Sequence, residues 1–344
     1  MFAQPRNDPN LTVVFGGWLD VARRAPFACA ALTIDKGRVV STVRLPRGRE
    51  GMPPELVVHI PPSDAEGALP LLEPRGVIYS SSYYLDLSKF WEYRTKLFNE
   101  QIAKSFEDAD KKSAPFLLGN RLYKLLTQAG SHLRVVAAYQ PRESSYASGP
   151  LGFYSYLAYG LTLDMRDPKL GKSLETLLRG GALLARTQVK LKLVKEQHGD
   201  VTIIGYRFEN DDSSPKAVVN DGPSAYFPTP SFAVVGNQFV GASTLEMCRE
   251  LVDLVRKESE TSSGKGRPAS VRTKLYGASG AELLHGIEDI LSTQAILGQA
   301  LAPKAAHEQI QMLVDWVRSL GTLAMEGHYG DRDYRFDLIY SPKR

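Results

Sequence analysis

The sequence predicts an α+β fold in which antiparallel sheet is built from repeated strand–helix–hairpin units, with the helices packed on one face. The clearest unit spans residues 154–209. Residues 154–163 alternate apolar and small side chains, which is typical of a strand. Asp167-Pro168 then begins a helix, because Asp caps free backbone N–H groups and Pro has no N–H to lose. Gly180-Gly181 predicts the end of that helix.

The helix of this unit is expected to bury one face against the sheet. Its leucines recur at helical spacing, at Leu170, Leu174, Leu177 and Leu178. A hairpin follows, because apolar residues at 189, 191 and 193 alternate with lysines in the period-two pattern of a half-exposed strand. Residues 197–200 form its turn and 201–208 its return strand.

The same order of elements recurs on both sides of this unit. A strand at 77–85 precedes Asp86, a candidate cap, and a long helix. A hairpin at 232–242 leads to a helix with Ser243 and Glu246 as a capping box. A strand at 271–276 leads to another helix, with Ser279 and Glu282 in the same pattern. The uneven spacing of the copies excludes a solenoid of fixed period.

Three regions follow from this pattern. Residues 1–75 form an N-terminal hairpin region, with a hairpin at 27–45 and a short strand at 56–60. Residues 76–262 form a central α+β body, and residues 270–344 form a C-terminal α+β unit packed on it. A polar stretch at 258–268 is the predicted linker between the last two.

Composition narrows the class of protein. The 344 residues are 43% hydrophobic and 23% charged, which is typical of a globular chain. The net charge of +4 is small, so nucleic acid is not an expected partner. Two cysteines, Cys29 and Cys248, cannot build a disulfide framework or a four-cysteine zinc site. No apolar run of about 18 residues exists, so no transmembrane segment is predicted.

The first ten residues lack the apolar core of a signal peptide, which leaves a cytosolic protein and a processed or trimmed form both open. The Asp167-Pro168 helix start and the hairpin Phe-Ala-Val-Val-Gly-Asn-Gln-Phe-Val-Gly-Ala-Ser at 232–243 resemble an uncharacterised bacterial family. Its members are large, repeat-built proteins of unknown function, often membrane-anchored or secreted. The resemblance covers about residues 77–340 and brings no catalytic residues with it. It implies an extracytoplasmic or envelope-associated location.

Two short sequence patterns partly match those of metal-binding or acid–base sites. His307-Glu308 begins like a zinc-protease helix, but Gln311 stands where the second histidine belongs. A second pattern places Glu282, His285 and Glu288 at i, i+3 and i+6 of one predicted helix. These side chains are interpreted as metal ligands, as an acid–base group, or as an ordinary solvent-facing edge.

Each of the other polar groups has both a functional and a purely structural interpretation. Calcium oxygens or a polar turn would account for Asp331, Asp333 and Asp337 in the last hairpin. A basic strip or a protected strand edge would account for Lys190, Lys192, Lys195 and Arg186. Ser80-Ser81-Ser82 has no evident base, and no nucleophile elbow occurs. The sequence therefore predicts no catalytic residue, metal or cofactor.

Tyrosine is the compositional bias of this chain. Ten of the 16 tyrosines fall between positions 79 and 159. They are Tyr79, Tyr83, Tyr84, Tyr93, Tyr123, Tyr139, Tyr146, Tyr154, Tyr156 and Tyr159. Tyrosine offers apolar area with a hydrogen-bonding tip, which suits recognition. Tyr83, Tyr146 and Tyr156 are the predicted binding residues, and aromatic packing in strands is the alternative.

These observations predict a non-catalytic binding or scaffold protein of the bacterial envelope, with a protein or glycan as partner on a tyrosine-rich surface. A hydrolase whose site is assembled from scattered Asp, Glu and His side chains is the alternative. A third reading, a subunit of a larger assembly, predicts a broad exposed apolar patch.

Overall fold

The computed structural model describes residues 8–62, 67–115, 117, 121–140, 157–185, 191–208, 230–260 and 269–343. Its α-helices are α1 (Pro9–Arg24), α2 (Leu87–Leu97), α3 (Glu100–Ser113), α4 (Leu122–Gln128), α5 (Lys169–Ala185), α6 (Leu245–Glu260), α7 (Gly277–Gly286), α8 (Glu288–Gln299) and α9 (Pro303–Ser319). Its strands are β1 (Cys29–Asp35), β2 (Arg38–Pro46), β3 (Val77–Tyr84), β4 (Ala129–Tyr139), β5 (Leu157–Met165), β6 (Leu191–His198), β7 (Val201–Phe208), β8 (Ser231–Val235), β9 (Gln238–Ala242), β10 (Val271–Tyr276), β11 (Thr322–Tyr329) and β12 (Asp333–Ser341).

One antiparallel sheet of twelve strands runs through the described part, in the order β1-β2-β12-β11-β10-β3-β4-β5-β9-β8-β7-β6. This confirms the α+β class with antiparallel sheet. The C-terminal strands lie between β2 and β3, so the regions 1–75, 76–262 and 270–344 all contribute to the same sheet. The repetition of strand–helix–hairpin units stays a prediction.

Helices cover both faces of the sheet, so the prediction that they pack on one face is wrong. Successive residues of a strand point to opposite faces. In β7, Ile203 packs in one cluster with Leu251 of α6, whereas Ile204 packs in another with Leu170 of α5. We call the α5 side the first face and the α6 side the second face.

The far end of the first face, over β2, β11 and β12, is covered by α1, α2 and a 3-10 helix at Pro54–Val58. Its core contains Tyr329 and Tyr334, whose ring centroids lie 4.6 Å apart. Residues 56–60 were expected to be a strand; instead Pro54 begins the 3-10 helix, since Pro lacks a ladder donor and suits a first helical turn.

Helix boundaries follow the predicted caps in two cases. Asp86 accepts a hydrogen bond from the backbone N of Ser88 at 3.1 Å, and Asp167 accepts one from the backbone N of Lys169 at 2.9 Å. The helix predicted to end at Gly180-Gly181 continues to Ala185. Two glycines cost about 1 kcal/mol each relative to Ala, and the Ala-Leu-Leu-Ala that follows favours continuation.

Both predicted capping boxes are wrong. Thr244 caps α6 by accepting from the backbone N of Met247 at 3.1 Å. Ser243 accepts instead from the backbone N of Tyr159 at 2.8 Å. Helix α7 begins at Gly277, directly after β10 and ahead of Ser279, so the strand end rather than a side chain sets its start.

The predicted buried face of α5 is correct for three of its four leucines. Leu170 is buried, and Leu174 and Leu177 pack against the same cluster. Leu178 is 39% exposed, so its predicted burial is wrong, because it borders open space between α5 and the sheet.

We therefore expect Leu174→Ala to lower the free energy of unfolding by about 2 kcal/mol, since it removes packed methyl groups from a partly buried site. Leu178→Ala should lower it by less than about 1 kcal/mol. Urea denaturation of the two variants measures the difference. Equal losses would contradict the orientation of α5.

Candidate functional site

A cavity of about 660 Å³ lies between α5 and the first face of the sheet. Its volume is within the range of roughly 300–1,000 Å³ that is usual for small-molecule sites. None of the described residues that line it is charged. They are Val135, Val136, Tyr159, Gly160, Leu161, Leu177, Leu178, Tyr206, Pro230, Ser231, Phe232, Phe239, Gly241, Ala242 and Ser243.

The floor of the cavity is a row of cross-strand neighbours. Val135 pairs with Leu161, Leu161 pairs with Gly241, and Gly241 pairs with Phe232. Paired residues point to the same face, so β4, β5, β9 and β8 each give one residue to a continuous apolar surface.

Helix α5 forms the wall and lies close to the sheet at its start. A Cβ on Gly171 would lie 3.0 Å from Cγ2 of Val234, which is tight contact. Two turns later Leu177 and Leu178 line the cavity and Leu178 is partly exposed. The space therefore lies beneath the later turns of the helix.

Gly241 keeps the floor open. A Cβ on it would meet nothing closer than Cε1 of Phe239 at 3.5 Å, and its φ is not positive. Gly160 differs, because a Cβ there would collide with Cδ1 of Leu251 in α6. Packing thus requires glycine at position 160, whereas at position 241 the absent side chain leaves room within the cavity.

Hydroxyl groups lie at the edge of the cavity. Tyr159 is 46% exposed, and its backbone is tied to Ser243 in both directions. The backbone N of Tyr159 donates to Oγ of Ser243, and the backbone N of Ser243 donates to the carbonyl of Tyr159, both at 2.8 Å. Tyr206 adds a further hydroxyl-bearing side chain to the lining. Such a site can bury an apolar body and bond a polar tip at its rim.

One tyrosine of the tyrosine-rich segment, Tyr159, lies at the edge of this cavity. Tyr79 and Tyr159 both pair with Ala137, from opposite sides, so they share the first face. Tyr83 is half-buried, with its hydroxyl 3.0 Å from that of Tyr79, and burial raises the pKa of Tyr83 to about 12. Tyr146 and Tyr156 lie outside the described residues, so their predicted role stays a prediction.

Two of the predicted polar patterns meet at one carboxylate. Glu288 lies 3.2 Å from Nδ1 of His285 and 2.5 Å from Nδ1 of His307, and Gln311 donates to it at 2.7 Å. Glu282 is not part of this group, since it lies 3.9 Å from Arg318. Glu308 lies 3.9 Å from Lys304. Within the described ranges no three His, Cys, Asp or Glu side chains are placed to hold a metal ion.

A second charged group lies on the second face, across β11 and β12. Nε2 of His328 is 3.5 Å from Glu326 and 4.0 Å from Asp337. A hydrogen bond from His328 lowers the pKa of Glu326, against the raising effect of burial. Asp337 is buried and accepts from Thr42 at 2.6 Å and from Arg335 at 2.9 Å, so it links strands.

The remaining polar candidates do not converge. Asp331 forms an ion pair with Arg49 at 3.2 Å, away from buried Asp337. Lys195 is exposed on β6, while Arg186 and Lys190 lie outside the described residues and the side chain of Lys192 is not described. The serines of β3 are buried, and Oγ of Ser81 bonds Oγ1 of Thr273 at 2.7 Å.

Comparison with known proteins finds no matching family model, no matching curated relative and no matching solved structure. Among the helices of the described ranges, none has both the length and the apolarity needed to cross a membrane.

Sequence reasoning missed the cavity residues Leu161, Phe232 and Gly241. A signal was present, because Gly160, Gly205 and Gly241 each interrupt a strand pattern, and glycine within a strand often marks close approach of a backbone or ligand. Nothing in the sequence distinguishes Gly241 from the other two, since the difference depends on which helix faces each one.

Proposed function

We propose that the protein binds a small molecule with an apolar body, such as an acyl chain or an isoprenoid, in the cavity between α5 and the sheet. The observation that carries the proposal is an open space of about 660 Å³ whose lining, among the residues that the structure describes, contains no charged side chain.

Packing and solvation both support this proposal. Protein interiors seldom contain voids much larger than a water molecule, so a space of this size is unusual for a core. Tyr159, Leu161 and Leu178 expose apolar surface at its opening. Covering such surface is favourable by about 25 cal/mol per Å². A charged head group would stay at the rim, near the hydroxyls of Tyr159 and Ser243, because the described lining residues offer it no charged partner.

The proposal keeps the binding part of the sequence hypothesis, with Tyr159 at the rim of the site. The binding roles of Tyr83, Tyr146 and Tyr156 stay predictions. An envelope location and a protein or glycan partner stay predictions. The hydrolase alternative would draw on Glu326, His328 and Asp337, and the bonds from Thr42 and Arg335 to Asp337 instead favour a structural role for that carboxylate.

Filling the cavity should weaken binding without harming the fold. We expect the neutral fluorescent probe N-phenylnaphthylamine to bind the wild-type protein and to be displaced by palmitate. The series Gly241→Ala, Gly241→Val and Gly241→Leu should weaken probe binding progressively, to about tenfold or more at leucine, which corresponds to about 1.4 kcal/mol. Fluorescence titration measures the affinity, and thermal unfolding checks the fold.

Gly298→Leu is the matched control, because it introduces the same side chain on α8 where no atom lies within 4 Å of the new Cβ. Its affinity should equal that of the wild type. Absence of probe binding to the wild type, or equal affinity across the Gly241 series in folded protein, would overturn the proposal.

A further inference from the structure

The edge strand β1 is exposed along its whole length. All seven residues are accessible, and the apolar side chains Leu32 and Ile34 are 72% and 78% exposed. In the described part, β1 pairs with β2 on one side and with no strand on the other. It therefore presents both a row of backbone donors and acceptors and a strip of apolar surface to solvent.

This edge lacks the features that usually prevent strand pairing. Protein edges are commonly guarded by lysine, proline, bulges or short length. Strand β1 reads Cys-Ala-Ala-Leu-Thr-Ile-Asp, and its register with β2 is unbroken from Cys29 to Asp35.

The opposite edge of the sheet is guarded. Strand β6 contains Lys192 and Lys195. Its Glu196 accepts two hydrogen bonds from Arg249 of α6, at 2.5 and 2.6 Å. One sheet therefore ends in a protected edge on one side and an unprotected edge on the other.

We propose that β1 pairs antiparallel with β1 of a second copy of this chain, so that the sheet continues across a twofold axis at Leu32. A twofold interface uses the same patch on both subunits, and an antiparallel strand edge is complementary to itself. In this register Leu32 lies opposite Leu32, Ala30 opposite Ile34, and Cys29 opposite Asp35.

Charge and side-chain direction both fit a second copy. Asp35 is the only charged residue in β1, and the register places it opposite Cys29 rather than opposite another charge. Lys36 comes opposite Ala28. Leu32 and Ile34 share the first face, since they alternate with Thr33. Pairing therefore converts isolated exposed side chains into one apolar row across the interface.

The first test is the mass of the protein in solution. Light scattering after size-exclusion chromatography should give a dimer for the wild type and a monomer for Leu32→Lys, because the variant places two ammonium groups opposite each other at the axis. Leu297→Lys is the control: it makes the same change at a leucine that is 80% exposed on α8, and it should stay dimeric.

The second test determines which residues of the two β1 strands lie opposite each other. In a Cys29→Ser background, Leu32→Cys should form an intersubunit disulfide on mild oxidation, and Lys195→Cys on β6 should not. A wild type that is monomeric up to its solubility limit would overturn the proposal, as would a dimer that survives Leu32→Lys. An unaltered thermal unfolding curve for Leu32→Lys shows that the variant is folded, and this check does not depend on the cavity proposal.

Discussion

Replacing Arg134 with methionine is expected to lower the free energy of unfolding by about 3–5 kcal/mol, the range typical when one partner of a buried charge network is removed. Arg134 lies on β4, points to the second face and is only 1% exposed. Burial lowers the pKa of its guanidinium, and the carboxylate of Glu258 opposes that shift.

Four groups accept hydrogen bonds from this one side chain. Its Nε donates to Oγ1 of Thr162 at 2.9 Å, and Nη1 donates to Glu258 at 2.6 Å and to the carbonyl of Pro70 at 3.3 Å. Nη2 donates to Gln238. The guanidinium thereby links β5, β9, α6 and the segment before β3, and methionine would fill its space while leaving these acceptors without their donor.

Urea denaturation at neutral pH measures the loss. Arg318→Met is the control, because Arg318 forms an exposed ion pair with Asp315 and such pairs contribute about 0–1 kcal/mol. If Arg134→Met cost no more than Arg318→Met, the network would be incidental to stability.

Acidification from pH 7 to pH 4 is expected to remove about 3 kcal/mol of stability through His59 alone. Burial lowers the pKa of His59 from its ordinary value of 6.5 to about 4. Its Nε2–H donates to the carbonyl of Val13 at 2.8 Å, and among the described residues Nδ1 has no hydrogen-bond partner. A second proton would therefore place a charge in a buried site, where the cost of burial outweighs the backbone groups of Val13 and Thr12 that favour the charged form.

The direction follows from proton binding in the two states. Between pH 6.5 and pH 4 the unfolded chain binds a proton at this histidine and the folded chain does not, so stability rises with pH in this window. The stability that His59 contributes is fully present above pH 6.5 and is lost as the pH falls to 4. A shift of about 2.5 pKa units corresponds to about 3 kcal/mol.

Close packing around His59 explains why its imidazole is shielded from water. A Cβ on Gly16 would lie 3.0 Å from the imidazole, and one on Gly17 would lie 2.9 Å from the histidine Cβ, so α1 lies directly against it. The ring of Phe90 meets the imidazole edge to face, with centroids 5.5 Å apart.

Unfolding of His59→Gln should therefore be less dependent on pH than unfolding of the wild type, by about 3 kcal/mol between pH 7 and pH 4. Parallel curves for the wild type and His59→Gln would show that the histidine is hydrated or already protonated in the folded state.

Local features of this chain were predictable because their causes are local. The caps at Asp86 and Asp167 and the hairpin β6–β7 depend on residues within a few positions of one another. The order of strands was not predictable in the same way. Thr42 bonds Asp337 across β2 and β12, 295 positions apart, and no periodicity in either strand specifies its neighbour.

The cavity was hidden for a related reason. Its floor joins Val135, Leu161, Gly241 and Phe232 from four strands, and each residue alone is typical of an ordinary strand. The sequence analysis did not predict helices on both faces. Whether a strand has one buried face or two depends on which helices pack against it, and the sequence of the strand does not specify those helices. Ile203 and Ile204 show this, since both are buried on opposite sides.

The strand order also determines when the protein can be completed during synthesis. Strands β10, β11 and β12 lie between β2 and β3, although the ribosome delivers them last. Until they emerge, β2 has only β1 beside it and β3 has only β4 within this sheet, so a nascent chain carries two sheet fragments with open edges. Joining them requires contacts between the two ends of the chain, which form slowly. During that interval the unpaired edges expose the chain to aggregation.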